Sequence, residues 1–497
     1  MMSRFRLAVL AVFLVGGVMA LEAHEAAGQE LPRATQLPGR PFFVKKNWVI
    51  GGEGNWDYLT LDPDAMQLFV AHGTSVQLVD VNAGTLAGKV DGLRDAHGIA
   101  LDDTGQQGFI SDGGANQVRI FDRHSLAITA SAPTGPNPRA IVYEPTTKLV
   151  FAICTEPASD AILAQLAKQE ADSRAQRSAQ GVSPAGANVD PAAANVTGSN
   201  AANPSARAAN PASQNAANQS PASQSPAGAG TTAARRQQSG GQGRPQSGAS
   251  AGDEITSVVS VIDSSNGKTL GHLLLTGHLG YAITDNHGEI YINVVDRNRI
   301  VHFHAQSAMS ALQQQAALNS DESEAVVDWS RSRRRDGTES ESDVSVLRLG
   351  TDCHAPKGLA IDGDQNRIFA ACDNQKLQVL NSGTGEVVTT LTIGQGTDAI
   401  GYDAARGLIY TANGGGVGSV TVIRRDVADT YEVIQELPTK QRARTMAVNS
   451  TNGEVYLVTN LEGYDLSKPG TGGGPYTLPV TQATPVHGSF QVLVVGN

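Results

Sequence analysis

The sequence predicts an all-β fold, a seven-bladed β-propeller, and three observations predict it. Within residues 353–403 four short apolar runs, at 358–362, 367–372, 377–380 and 387–393, are separated by turn residues, and the pattern then restarts at 398–403. Such runs, bounded by Gly, Asn, Asp and Ser, read as one antiparallel four-stranded sheet. Asp362 and Asp403 close equivalent runs 41 residues apart, the span of a four-stranded propeller blade and not of most helical repeats. Aligned in the same way, Asp62, Asp102, Glu144, Asp285, Asp362, Asp403 and Asn449 mark seven copies, spaced 40, 42, 141, 77, 41 and 46 residues. The two long spacings coincide with breaks in composition, so they are insertions and not missing blades.

Taken in order, the chain opens with MMSRFRLAVLAVFLVGGVMALEA over 1–23: two arginines, an apolar run at 7–18, then small residues. That is the order of a secretory signal, and the run is shorter than the roughly 20 residues a membrane span needs. A periplasmic or secreted chain without a membrane span after signal removal is expected. Segment 43–51 follows, β-rich and long enough for one strand. The seventh blade supplies only three strands of its own, near 445–448, 454–459 and 490–495. The first segment therefore fills the vacant fourth place and closes a ring over 43–497, which removes the open sheet edges. A monomer is expected.

The first insertion, 157–253, consists of Ala, Ser, Gln, Asn, Pro and Gly with almost no large apolar residues. Such a stretch cannot bury enough apolar area to offset chain entropy, so disorder is expected apart from a short helix over 161–177. It interrupts the link between second and third strands of the third blade. The second insertion, 307–342, is polar and interrupts the link between third and fourth strands of the fourth blade, so the two leave from opposite faces of the disc. A Gly-rich excursion at 461–488 follows a second strand again, in the seventh blade.

A net charge of -11 argues against a general nucleic-acid or acidic-membrane binder. The acid-poor first insertion nevertheless carries Arg174, Arg177, Arg207, Arg235, Arg236 and Arg244, which leaves weak single-stranded nucleic-acid binding as a second alternative function. Of the three cysteines, Cys353 precedes the first strand of its blade and Cys372 ends the second. Neighbouring antiparallel strands put both at one end of the sheet, a placement compatible with a disulfide. Cys154 aligns with Cys372 in another blade and reads as an inert thiol near a strand end.

With the blades laid out, the chain resembles the YncE-like family of exported YVTN-repeat, WD40-like seven-bladed propellers. The residues that carry the resemblance are WDYLTLDPD at 56–64, VAHGTSVQLVDVNAGTLAGKV at 70–90, HGIALD at 97–102, CHAPKGLAID at 353–362, RIFAACDN at 367–374, ARTMAVN at 443–449 and GSFQVLVVG at 488–496. The resemblance implies the fold, export and a Cys353–Cys372 disulfide. It implies little about activity, because a propeller hosts many unrelated functions, and family members usually continue directly where this chain carries its long first insertion.

Residues beginning the innermost strands crowd around the mouth of the central channel. Five positions before each aligned acid stand Asp57, His97, Arg139, Gly280, Lys357, Asp398 and Arg444, with His278, His354 and Arg442 in the same loops. Converging charges in a concavity make the default ligand-binding site; the bland reading is a set of solvated loop ends whose charges cancel in pairs. His97, His278 and His354 could offer imidazoles to a metal, with Asp57 or Asp398 as oxygen ligand. They come from different blades without local ligand spacing, and the neighbouring cations oppose a divalent ion. No metal, cofactor or catalytic residue is expected. His302 and His304 alternate on one strand and read as solvent-facing.

The acidic pairs Asp62/Asp64, Asp102/Asp103 and Asp362/Asp364 fall where first and second strands turn, and read as Asx turns and not calcium loops. The glycines at 414–418 read as a strand link needing positive φ, since no helix or Lys-Ser/Thr pair follows. Trp56 reads as a wedge between first and last blades. No C-x-x-C-H or G-x-S-x-G sequence is present. The expectation is an exported, non-catalytic scaffold that holds a protein partner or small ligand on one face; the alternative is a metal- or charge-assisted, lactonase-like hydrolase in the channel mouth.

Overall fold

The computed structural model describes residues 40–179, 255–319, 324–330, 344–426, 429–464 and 483–497. The expected leader at 1–23, residues 180–253 of the first insertion with Arg207, Arg235, Arg236 and Arg244, and parts of the second lie outside them.

Seven antiparallel sheets succeed one another along the chain, and each begins with the strand closed by an aligned acid or amide. Blade 1 starts with Trp56–Asp62, blade 2 with Ala96–Leu101, blade 3 with Pro138–Glu144 and blade 4 with Leu279–Thr284. Blades 5, 6 and 7 start with Pro356–Asp362, Thr397–Asp403 and Met446–Asn449. The strand Phe43–Val49 pairs antiparallel with Gln491–Gly496 and supplies the outermost place of blade 7. The ring is closed by the two ends of the chain, as the residue pattern requires.

The second strands are apolar on both faces because each is covered by a blade on either side. In blade 5, Ile368, Phe369, Ala370, Ala371 and Cys372 are all fully buried. Seven apolar clusters result, one at each blade boundary, with residues of blades 7 and 1 meeting in the last of them. Burying a side chain of Val, Leu, Ile or Phe contributes roughly 1.5–3 kcal/mol, so each boundary adds cohesion and the closed ring has no uncovered blade face. Trp56 lies in the boundary of blades 7 and 1 beside Phe490, 5.7 Å between ring centroids, as a wedge.

Turns follow the expected chemistry. Asp62 Oδ1 accepts the amides of Asp64 and Ala65, both at 3.1 Å, and Glu144 accepts those of Thr146 and Thr147 at 3.1 and 2.8 Å. These carboxylates are spent on their own turns, which is what an Asx-type turn means. Some also tie blades together: Arg123 of blade 2 bonds Asp62 of blade 1, and the equivalent Arg425 of blade 6 bonds Asp362 of blade 5. Gly416 and Gly418 have φ of 57° and 83°, as the strand link needs. Cys353 and Cys372 form a disulfide in blade 5, with Cα atoms 5.5 Å apart.

Two expectations change. The described part of the first insertion is a longer helix than expected, α1 (Asp160–Ala179), and the polar second insertion is partly ordered. It forms α2 (Ala305–Leu318) and a strand, Ala325–Asp328, which joins blade 3 and not its parent blade 4. That strand pairs parallel with Lys268–Thr276, so blade 3 has five strands. The physical reason is the vacant outer edge of blade 3, which offers unpaired backbone groups to any strand within reach. The insertions leave from opposite faces of the disc, yet α1 packs against both the added strand and α2.

Candidate functional site

The mouth residues are placed by short bonds from one blade to the first strand of the next. Thr445 Oγ1 of blade 7 donates to the carbonyl of Asp57 in blade 1 at 2.9 Å. Ser111, next to last in the second strand of blade 2, donates to the carbonyl of Arg139 in blade 3 at 2.6 Å. Asn293 holds the same place in blade 4 and donates to the carbonyl of Lys357 in blade 5 at 2.9 Å. Side chains at equivalent positions thus set the spacing of the ring.

Asp57 is the hub. Its Oδ2 lies 2.8 Å from His97 Nδ1 and 2.8 Å from Arg139 Nη2, joining blades 1, 2 and 3. Burial by itself would raise this carboxyl; the His97 bond and the Arg139 guanidinium outweigh it and hold the pKa below the usual carboxylate value. Arg139 is shifted the other way: burial would lower it, and Asp57 more than restores its charge. His97 Nε2 lies 3.1 Å from Asp95 Oδ2, too far off line for a hydrogen bond, so carboxylates flank both ring nitrogens. Asp95 is presented by the buried Asp112, which accepts its amide at 3.0 Å. Gly113 is required here, since a Cβ would come within 2.8 Å of the His97 ring.

A second pair stands across the ring. Arg444 Nε of blade 7 lies 3.0 Å from Asp398 Oδ2 of blade 6. Burial raises the Asp398 carboxyl, and Arg444 and Lys357 only partly offset that. The two ring carboxylates therefore have opposite shifts from one cause, burial, opposed by unequal help.

One residue further along the first strands of blades 1 and 4, two aromatic side chains meet across the channel. Tyr58 of blade 1 meets Tyr281 of blade 4, with ring centroids 5.1 Å apart. Contacts between non-adjacent blades can form only across the central channel, so this pair spans it. Burial pushes both hydroxyls up, Tyr58 well above the ordinary tyrosine value with Asp57 adding to it. The aromatic pair thus stands beside the charged ring, one register position further along the strands.

Of the residues singled out from sequence, Asp57, His97, Arg139, Lys357, Asp398 and Arg444 are brought together. Arg442 stands at the edge, 4.7 Å over the Trp56 ring and 3.2 Å from Glu462 Oε1. His278 and His354 are exposed on the loops leading into the first strands of blades 4 and 5, and His354 Nδ1 faces Asn298 Nδ2 at 3.3 Å. The three histidines do not converge, and among the described residues no group of three or more His, Cys, Asp or Glu could hold a metal ion. His302 departs from its solvent-facing reading: it bonds Glu289 at 3.0 Å and stacks on Tyr291. His304 instead caps α2 by accepting the Gln306 amide. Tyr58, Tyr281 and Asp95 were not singled out; the two tyrosines share one register position, four before their aligned acids, and that was the available signal. Cys154 is fully buried, with its thiol pushed up to about 12 by burial.

Solved propellers share this architecture. The chain is similar to the structure of U3-55K with a TM-score of 0.52 and 8% identity, over 91% of this chain and 99% of that one. It is similar to the WD40 repeats of RRP9 with a TM-score of 0.51 and 8% identity, covering 90% and 96%. A chain of the mitotic checkpoint complex gives 0.50 and 9%, covering 89% and 96%. At such identities the likeness shows the fold alone. No family model and no curated protein matches the sequence.

Proposed function

We propose that this chain is an exported, YncE-like propeller that binds and does not catalyse, using its channel-mouth face to dock a partner protein whose acidic group meets the cations of the mouth. The leader-like order at 1–23 and the blade 5 disulfide, a bond favoured in oxidising compartments, support a periplasmic or secreted setting. The observation that carries the reading is the mouth itself: Arg139, Lys357 and Arg444, from blades 3, 5 and 7, gather around Asp57 and Asp398 near the Tyr58–Tyr281 contact. Arg139 and Arg444 keep about two fifths of their side chains exposed, with guanidinium donors left over after each has met its carboxylate. Fork-shaped donors of this kind suit a carboxylate.

The test is affinity capture of periplasmic protein by the wild type and by Arg139→Ala/Lys357→Ala/Arg444→Ala, with circular dichroism as a check on folding. A defined partner that the wild type retains and the folded triple variant loses supports the reading. Equal capture by both would overturn it, and so would lactone hydrolysis by the wild type that Asp57→Asn abolishes.

A further inference from the structure

The rim of blade 3 carries an arrangement that the mouth does not explain. The added strand Ala325–Asp328 is the outermost of five and pairs on its inner side with Lys268–Thr276. Its outer side should present free backbone groups, as any edge strand does. Instead the side-chain amide of Gln169 in α1 takes them: Nε2 donates to the carbonyl of Glu324 at 2.9 Å, and Oε1 accepts the amide of Val326 at 3.1 Å. In a parallel ladder a strand residue bonds the carbonyl before and the amide after the residue it faces. Gln169 therefore occupies the place of a residue opposite Ala325 in a sixth strand.

The surroundings reinforce this placement. Ile162, Leu166 and Gln169 follow one another at helical spacing, and all three are buried; Ile162 and Leu166 pack on Val326, Leu274 and Cys154. Gln169, 4% exposed, holds a position in that stripe which apolar residues normally fill. Gln165 adds a second bond to the Glu324 carbonyl, and Gln176 Nε2 reaches the Leu318 carbonyl of α2 at 3.2 Å. Glu324 is held from the other side by His272 Nε2 at 2.9 Å, whose Nδ1 meets Ser260 Oγ at 3.0 Å.

We propose that α1 is a guard over the blade 3 edge: by imitating a strand residue, Gln169 keeps the fifth strand from pairing with the same strand of a second copy of this chain. The occupant is a second copy because every copy carries the identical edge, and edge-to-edge pairing is the standard hazard of an uncovered strand. The guard belongs to the first insertion and the guarded strand to the second, so each insertion completes what the other leaves open.

The experiment compares the full chain with Gln165→Ala/Gln169→Ala by hydrogen exchange and by light scattering across a concentration series. Exchange at the Val326 amide should rise at least about tenfold at low concentration, where a lost bond of about 1.4 kcal/mol corresponds to tenfold, and the mass should climb above that of the wild type as concentration rises. Adding Val326→Pro removes the outward amide without touching the ladder to the inner strand and should return the mass to the wild-type value. Unchanged exchange overturns the guard, and increased exchange with a wild-type mass overturns the pairing. Association that persists with Val326→Pro shows another surface at work and overturns it as well.

Discussion

Blade 5 runs without interruption from Pro356 to Thr392, and its first two strands are clipped by a disulfide nineteen residues apart in sequence. Blade 3 is gathered from three separate stretches, at 138–157, 256–276 and 325–328. Both keep the same antiparallel register through their first four strands. The difference lies in what holds the strands after the register is met. In blade 5 short turns bring the partners together, and a covalent link narrows the unfolded ensemble. In blade 3 long connections leave the closing work to side chains from distant segments, Gln169 on the outer side of the added strand and the His272–Glu324 pair on its inner side. Loop length alone is a weak penalty, since closure entropy grows only logarithmically, so an interrupted blade survives when a few such contacts replace the lost turns.

The largest test of this contrast is to cut the staple of blade 5. Cys353→Ala/Cys372→Ala should lower the unfolding free energy by about 3 kcal/mol on the chain-entropy estimate for a loop of this length, measured by urea denaturation. A loss under about 1 kcal/mol would mean that packing alone holds blade 5, and the contrast with blade 3 would disappear. A smaller effect is expected from Glu324→Ala, which leaves the buried His272 Nε2–H without its acceptor. Such an orphan costs about 2 kcal/mol, and the loss should show as faster amide exchange in both the added strand and its inner neighbour. Change confined to one of the two strands would show that the pair does not join them.

The smallest and most diagnostic effect is one of sign, in the mouth residues that the two blades face. Asp57 meets Arg139 of blade 3 and has a lowered pKa. Its contribution is present above the unfolded carboxylate value and is lost as pH falls through the folded one. Asp398 faces Lys357 of blade 5 and has a raised pKa, so its contribution is present at low pH and is lost as pH rises through the folded value. The stability difference between wild type and Asp57→Asn should therefore grow from pH 3 to pH 7, while that between wild type and Asp398→Asn should shrink. Denaturation midpoints at the two pH values decide it, and equal signs would contradict the burial argument.

The ring was readable because a blade is a local object. The acids at Asp62 and Glu144 mark turns through bonds to amides two and three residues on, and Asp362 through one to the amide three on, and such contacts leave a trace in spacing. The mouth was half readable for the same reason: one offset from those acids found Asp57, His97, Arg139, Lys357, Asp398 and Arg444. The neighbouring loop positions also drew in His278 and His354, which are exposed and do not join the ring, and the offset overlooked Tyr58 and Tyr281. Their meeting depends on how wide the channel is between blades 1 and 4, and no spacing within one blade records that width.

Sequence by itself determined the number of blades, the closure of the last by the first strand of the chain, and the points where insertions enter, because each follows from apolar period and turn chemistry within about 40 residues. Tertiary structure alone decided that the two carboxylates of the mouth shift oppositely, that Tyr58 and Tyr281 meet across the channel, and that a strand from one blade's insertion completes the edge of another. These depend on burial and on distances between segments far apart in the chain, which are properties of the closed ring and of no stretch within it.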